Sequence, residues 1–170
     1  MRLLVLIPCF NEASSLSEVI SSLPRDLSGI SEIDCLVVDD GSTDGTYAVA
    51  KDCSVNVVCH PSNRGLGVAF RTGVAWAIRN KYDIMVNIDG DGQFLPEQIK
   101  DLVKPILSGE AGFVSGSRFM NISKPGQIHN MPKIKWYGNV WMSKFVSRLM
   151  RQKFYDVSCG FRAYTYETLC

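Results

Sequence analysis

Asp89-Gly90-Asp91-Gly92-Gln93 is the stretch of this chain best suited to chemistry. Two carboxylates one residue apart, with glycine between and after them, let the backbone turn tightly so that both face one hard cation. Gln93 adds a neutral oxygen. Carboxylate and carbonyl oxygens suit magnesium or manganese better than zinc, and such an ion keeps positions open for phosphate oxygens. The same turn also reads as a polar cap on the helix that Pro96 opens, so its neighbours decide its meaning. Three further polar clusters, Pro8–Glu12, Asp39–Asp44 and Ser117-Arg118, also follow apolar runs, and Asp156 to Arg162 forms a second glycine-bearing polar turn.

These clusters need elements to hold them. Arg2 to Ile7 is a continuous apolar run, as in a central parallel strand, and Pro8 is expected to stop it. Strands are predicted over Ile33–Val38, Val55–Cys59, Tyr82–Ile88, Gly112–Gly116 and Phe161–Tyr164. Between them, helical spacing recurs at Leu16, Val19, Ile20 and Leu23, at Ala69, Phe70, Val74, Ala77 and Ile78, and at Ile99, Leu102, Val103 and Ile106. A helix over about Trp136–Arg151 sets Tyr137, Val140, Trp141, Phe145 and Leu149 on one side and Lys144, Arg148 and Arg151 on the other. Residues 119–135, with Pro125, Gly126 and Pro132, read as a loop.

Alternating strands and helices predict an α/β fold with a mostly parallel central sheet covered on both faces. Ligands in such sheets bind outside the carboxyl ends of the strands, where the polar clusters fall.

The chain has 170 residues, enough for one domain with its own core. No apolar run reaches the roughly 18 residues of a spanning helix. None of the six cysteines forms a CxxC pair, which suits buried free thiols in a reducing cytosol. A net charge of +1 argues against nucleic acid as a general partner. The charge is uneven: residues 1–110 hold 9 Lys/Arg against 15 Asp/Glu, and residues 111–170 hold 9 against 2. An acidic half that suits a cation adjoins a basic half that suits anions. There is no Gly-x-Gly-x-x-Gly after the first strand and no Gly-Lys-Ser/Thr loop, which disfavours dinucleotide and P-loop readings.

Five motifs together are specific: Ile7-Pro8-Cys9-Phe10-Asn11-Glu12, Val37 to Thr46 with its Asp39-Asp40-Gly41-Ser42, Asn63-Arg64-Gly65-Leu66-Gly67, Asp89 to Gln93, and Gly116-Ser117-Arg118. In order and spacing they resemble family 2 glycosyltransferases across essentially the whole chain. With the Asp156…Gly160-Phe161-Arg162 turn, the likeness is to the dolichol-phosphate mannosyltransferase and polyprenyl-phosphate glycosyltransferase branch. The resemblance implies a GT-A, Rossmann-like three-layer sandwich. Residues 1–116 would bind nucleotide sugar and metal, and residues 117–170 would form the acceptor side of a single catalytic domain truncated at its C-terminus.

It further implies that Pro8, Phe10, Glu12, Val37 and Asp39 line the nucleoside pocket, with Asp40 supporting that loop or the ribose. Asp89, Gly90 and Asp91 would meet the diphosphate, and Asp89, Asp91 and Gln93 would hold Mg2+ or Mn2+. Arg118 and Arg162 would grip phosphate oxygens, which suits the guanidinium fork. Asp156 would act as base or orienting group.

The expected reaction is inverting transfer of a sugar from a GDP- or UDP-linked donor to a polyprenyl phosphate, dolichyl or undecaprenyl, at the cytoplasmic face of a membrane. A phosphate acceptor is already ionised and needs no strong base; a saccharide hydroxyl would need one. Transfer to a saccharide hydroxyl in cell-surface polysaccharide synthesis is the alternative, and an inactive nucleotide-sugar-binding module is a third reading. The basic stripe on the Trp136 helix suits anionic headgroups, and suits equally the solvated face of a core-packing helix.

Overall fold

β1 (Arg2–Cys9) is the strand around which the sheet assembles. In the computed structural model, residues 1–91, 95–117, 133–151, 153–157 and 159–170 are described, without the side chains of 133–135 and 150. β1 pairs in parallel with β2 (Glu32–Asp39) on one side and with β4 (Ile84–Asn87) on the other. β3 (Asn56–Cys59) extends the sheet parallel to β2. β6 (Arg162–Thr165) runs antiparallel beside β4, and β5 (Phe113–Ser115) lies beyond it. The resulting order is β3-β2-β1-β4-β6-β5.

Pro8 does not end β1, which continues to Cys9 with Pro8 opposite Val38. The ladder with β4 stops at Leu6. The Leu6 carbonyl faces β4, where it accepts from the Ile88 amide at 3.0 Å, and Pro8 shares its orientation two residues on. The proline ring nitrogen therefore points to a side with no ladder left to serve, where a missing N–H costs little.

Alternation along the strands divides the core. Leu4, Leu6, Leu36, Val38 and Met85 pack with Ala69 and Ala77 of α3 (Leu66–Arg79). A Cβ at Gly73 would collide with the Leu6 side chain, so glycine there lets α3 lie close on the sheet. Leu3, Val5, Ile7, Val37, Ile84 and Val86 alternate with these and are equally buried, which requires a second covering layer. The remaining helices carry matching buried stripes: Leu16 and Val19 of α1 (Ala13–Ser21), and Ile99, Leu102, Val103 and Ile106 of α4 (Ile99–Leu107). The helical spacing of Ile99 to Ile106 in the sequence thus marks a real inward face. A single 3-10 turn, Pro96–Gln98, leads into α4, while α2 (Thr46–Asp52) and α6 (Tyr166–Leu169) are short. Among the described residues no cysteine forms a disulfide: Cys9 and Cys159 are buried, Cys35 and Cys53 half-buried, Cys59 and Cys170 exposed.

The chain divides into two units, Met1–Val114 with Phe161–Cys170, and Ser115–Gly160. The second contains α5 (Lys133–Met150). Its inward side carries Trp136, Asn139, Val140, Ser143, Val146 and Ser147, and Ser143 is only 3% exposed. These are polar for an inward face, and they bind the segment that follows. The Ser147 hydroxyl accepts from the Phe154 amide at 2.8 Å, and the Ser143 hydroxyl accepts from the Val157 amide at 3.3 Å. Tyr137, Trp141, Phe145 and Leu149, grouped with Val140 on sequence, separate from it and stand 54–70% exposed. No helix among the described residues is long and apolar enough to cross a membrane.

Candidate functional site

The carboxyl ends of β1, β2 and β4 release their chains into one cleft. A cavity of about 350 Å³ opens there, lined by Pro8, Phe10, Glu12, Asp40, Asp89 and Asp91 together with Cys9, Gly90, Asn63, Gly65 and Leu66.

The loops after β1 and β2 are laced together. Asn11 adopts a left-handed backbone (φ 58°), which asparagine tolerates better than most residues. That turn lets its amide donate to Ser42 Oγ at 2.9 Å while its Oδ1 accepts from the Thr43 amide at 2.9 Å. Asp44 accepts from the Ala13 amide at 3.1 Å and from both the amide and hydroxyl of Thr46. The Thr46 hydroxyl and these amides hold the Asp44 carboxyl below its usual range. Thr46 Oγ1 also accepts from the Glu12 amide at 2.9 Å. The third loop is tied in by Ser15, whose hydroxyl donates to the Gly90 carbonyl at 2.7 Å.

Glu12, Asp89 and Asp91 give the cleft its charge. Burial raises the Glu12 carboxyl pKa, and the negative charges of Asp91, Asp44 and Asp89 raise it further, against a bond from Ser15. A carboxylate crowded by carboxylates favours a hard cation. Among the described residues, no group of three His, Cys, Asp or Glu side chains is arranged to hold a metal ion. Gln93, the third expected ligand, lies outside the described residues, as does Arg118. The donor set that remains, oxygen only and acidic, fits magnesium or manganese. Cys9 also lines the cavity, but burial drives its thiol pKa far up, so it stays protonated and is a poor nucleophile.

Val37 and Asp39 are buried and are not among the residues lining the cavity. Asp39 Oδ1 accepts from the Ser42 amide at 3.0 Å. Asp40 is 3% exposed, and its carboxylate accepts from His60 Nδ1 at 2.6 Å, the Arg64 amide at 3.0 Å and the Gly65 amide at 2.7 Å. Burial raises its pKa, but these bonds outweigh burial and the net shift is downward. Arg162 stands opposite Asn87 in the antiparallel β4–β6 ladder, two residues from Asp89. In the second unit Asp156 is 3% exposed and accepts from Asn139 Nδ2 at 2.7 Å.

Sequence reasoning passed over Ser15, Thr46, Thr72 and His60. The strand register supplies the meaning of His60. Asp39 pairs with Cys59 across β2 and β3, so the next residues, Asp40 and His60, must emerge side by side.

A mostly parallel sheet with an acidic cleft at its strand ends is the arrangement of the GT-A class of α/β fold, and the solved structures match it. A solved structure of glucosyl-3-phosphoglycerate synthase from Mycobacterium tuberculosis, in complex with Mn2+, UDP-glucose and glycerol 3-phosphate, matches with a TM-score of 0.69 at 25% identity. The match covers 98% of this chain and 57% of that one. Residues 4–169 match the model of glycosyl transferase family 2, and the chain belongs to that family. An uncharacterised protein of Methanocaldococcus jannaschii is 37% identical over 98% of this chain and 65% of its own length. Undecaprenyl-phosphate mannosyltransferase of Micrococcus luteus is 35% identical over 99% of this chain and 68% of its own. The chain thus spans about two thirds of the length of these relatives.

Proposed function

We propose that this protein is an inverting glycosyltransferase that moves a sugar from a GDP- or UDP-linked donor to a polyprenyl phosphate. The observation that carries the reading is the convergence of Phe10, Glu12, Asp89 and Asp91 on one cavity at the strand ends. The family membership and the Micrococcus luteus relative, named for an undecaprenyl-phosphate acceptor, support it. Phe10, 43% exposed, and Leu66, 64% exposed, offer apolar surface for a base at the mouth of the cavity. Asp40 lines the same cavity, and Val37 and Asp39 would complete the nucleoside pocket behind it. Asp89 and Asp91, with Gln93, would hold Mg2+ or Mn2+, which when bound supplies positive charge to a diphosphate. The Mycobacterium tuberculosis structure, with Mn2+ and UDP-glucose, supports that choice of ion.

Arg162, and Arg118 with it, would neutralise phosphate oxygens of donor or acceptor. An ionised acceptor phosphate attacks the anomeric carbon from the face opposite the diphosphate. A carbon–oxygen bond forms to the acceptor, the bond to the donor phosphate breaks, and its electron pair leaves with the nucleoside diphosphate. No proton need be removed, so catalysis is positioning and electrostatics. The bond from Asn139 to Asp156 supports an orienting role for that carboxylate. The test supplies manganese, labelled GDP- and UDP-sugars and undecaprenyl or dolichyl phosphate. Label in the organic phase is expected. Label confined to water-soluble glycan would instead assign a saccharide acceptor, and nucleotide binding without any turnover would assign a binding module.

The acceptor also implies a membrane surface, and α5 supports one. Tyr137, Trp141, Phe145 and Leu149 recur every fourth residue and are all exposed; the Trp141 and Phe145 rings stack at 5.9 Å. Lys144 and Arg148 lie beside them, also exposed. Aromatic side chains flanked by cations suit the headgroup boundary of an anionic bilayer. Vesicles of phosphatidylcholine with phosphatidylglycerol are expected to bind the chain. Replacing Lys144 and Arg148 by Ser should weaken that binding about thirtyfold, at about 1 kcal/mol per charge. Binding unchanged in that variant, and in Trp141→Glu, would refute this face.

A further inference from the structure

We propose that His60 is a positioning residue: held between Asp40 and Thr72, it sets the Asn63–Leu66 wall of the nucleotide cavity. The inference rests on the nucleotide reading of that cavity.

His60 is 7% exposed and directly follows β3. Its Nδ1 lies 2.6 Å from Asp40 Oδ1. An ionised carboxylate only accepts, so Nδ1 carries the proton. The same carboxylate takes the amides of Arg64 and Gly65. One buried acid therefore holds both ends of the segment from His60 to Gly65, and little of its accepting capacity remains for a ligand. The middle of the segment is pressed from the other side. A Cβ at Gly41, whose φ is +75°, would sit 2.5 Å from the Ser62 carbonyl carbon. Asn63, Gly65 and Leu66, the far end of the segment, line the cavity.

The second ring nitrogen ties this wall to α3. His60 Nε2 lies 3.0 Å from Thr72 Oγ1, which is itself 3.1 Å from the Val68 carbonyl. The threonine hydroxyl has one hydrogen and two directions in which to send it. With the ring proton on Nδ1, Nε2 is an acceptor and the hydroxyl serves it there. A residue placed only to fill space would need neither partner.

The test compares His60→Ala, His60→Asn and His60→Gln in the intact chain. An asparagine amide stands where Nδ1 stands and can donate to Asp40; a glutamine amide stands nearer Nε2. Calorimetry with UDP and with GDP, each plus manganese, is expected to show about tenfold to hundredfold weaker binding in His60→Ala, the scale of a lost charge-assisted bond. His60→Asn should recover most of the loss, and His60→Gln should not. Hydrogen exchange at the Arg64 and Gly65 amides should rise in the same order. In turnover, donor KM should rise while kcat holds within about twofold, because the wall binds the donor without touching the bond that breaks. Nitrogen-15 spectra of the ring should show Nδ1 protonated. If His60→Ala does not fold, His60→Asn against His60→Gln still decides. Wild-type affinity and wild-type amide protection in His60→Ala or His60→Gln would overturn the proposal, as would a His60→Asn chain as weak as His60→Gln. A wild-type chain that binds neither nucleotide would sink the proposed function, while amide protection would still report whether His60 holds the loop.

Discussion

Asp40 and Glu12 are two carboxylates on one cavity with opposite environments, and pH should separate them. Asp40 is held by N–H donors, so its folded pKa lies below the unfolded value of about 3.9. The unfolded chain then binds the proton more readily. The stability Asp40 supplies is complete above the unfolded value and is lost as pH falls toward the folded one. Asp40→Asn should cost about 2–3 kcal/mol at neutral pH in urea denaturation, and its deficit should shrink in acid. Glu12 is the reverse case, with a folded pKa raised by burial and by Asp91. The folded chain binds that proton more readily, so stability drops as pH rises through the Glu12 range. Without metal, Glu12→Gln should be more stable than wild type at neutral pH and equal to it in acid. Denaturation curves that ranked the two variants in the same direction would contradict both environments.

Gly41 shows how much depends on where one loop meets another. Its positive φ excludes most side chains, and the Ser62 backbone leaves no room for a Cβ. Gly41→Ala should cost about 2–4 kcal/mol in thermal or urea unfolding and should also displace the segment that Asp40 holds. A neutral Gly41→Ala would mean that the two loops are looser than their contacts imply. The elements themselves were legible in the sequence. The apolar runs of β1, β2 and β4 and the inward stripe of α4 rest on periodicity, which local sequence carries. Two features were not. Pro8 breaks a strand only if its nitrogen faces a partner, and that depends on where β4 stops pairing. α5 offers apolar residues to more than one side, and its inward face turned out to be Asn139, Ser143 and Ser147, whose value lies in hydrogen bonds to residues 154–157. Hydrophobic spacing cannot report such a face. The same holds at the cavity: the acids were visible as motifs, whereas His60 and Thr72 gain meaning only when β3 and α3 are placed beside Asp40.

For the molecule as a whole, folding and ligand binding should be linked. The cleft gathers acidic side chains that repel one another, and a cation with a nucleotide diphosphate would relieve that repulsion. Manganese and UDP or GDP at about a hundredfold over their dissociation constant should add about 2.7 kcal/mol to unfolding, and chelation should remove the gain. An unfolding curve indifferent to both additions would show that the cleft binds neither.

β6 also has a consequence for synthesis. It lies inside the sheet, between β4 and β5, although it is made after the five other strands described. Until residues 162–165 leave the ribosome, the outer edge of β4 has no neighbour, and Ile84, Met85 and Val86 border an open ladder on a growing polypeptide. A translational pause just before Arg162 would prolong the interval in which nascent chains can adhere to one another, so yield in the cell should depend on codon speed there and on chaperone supply.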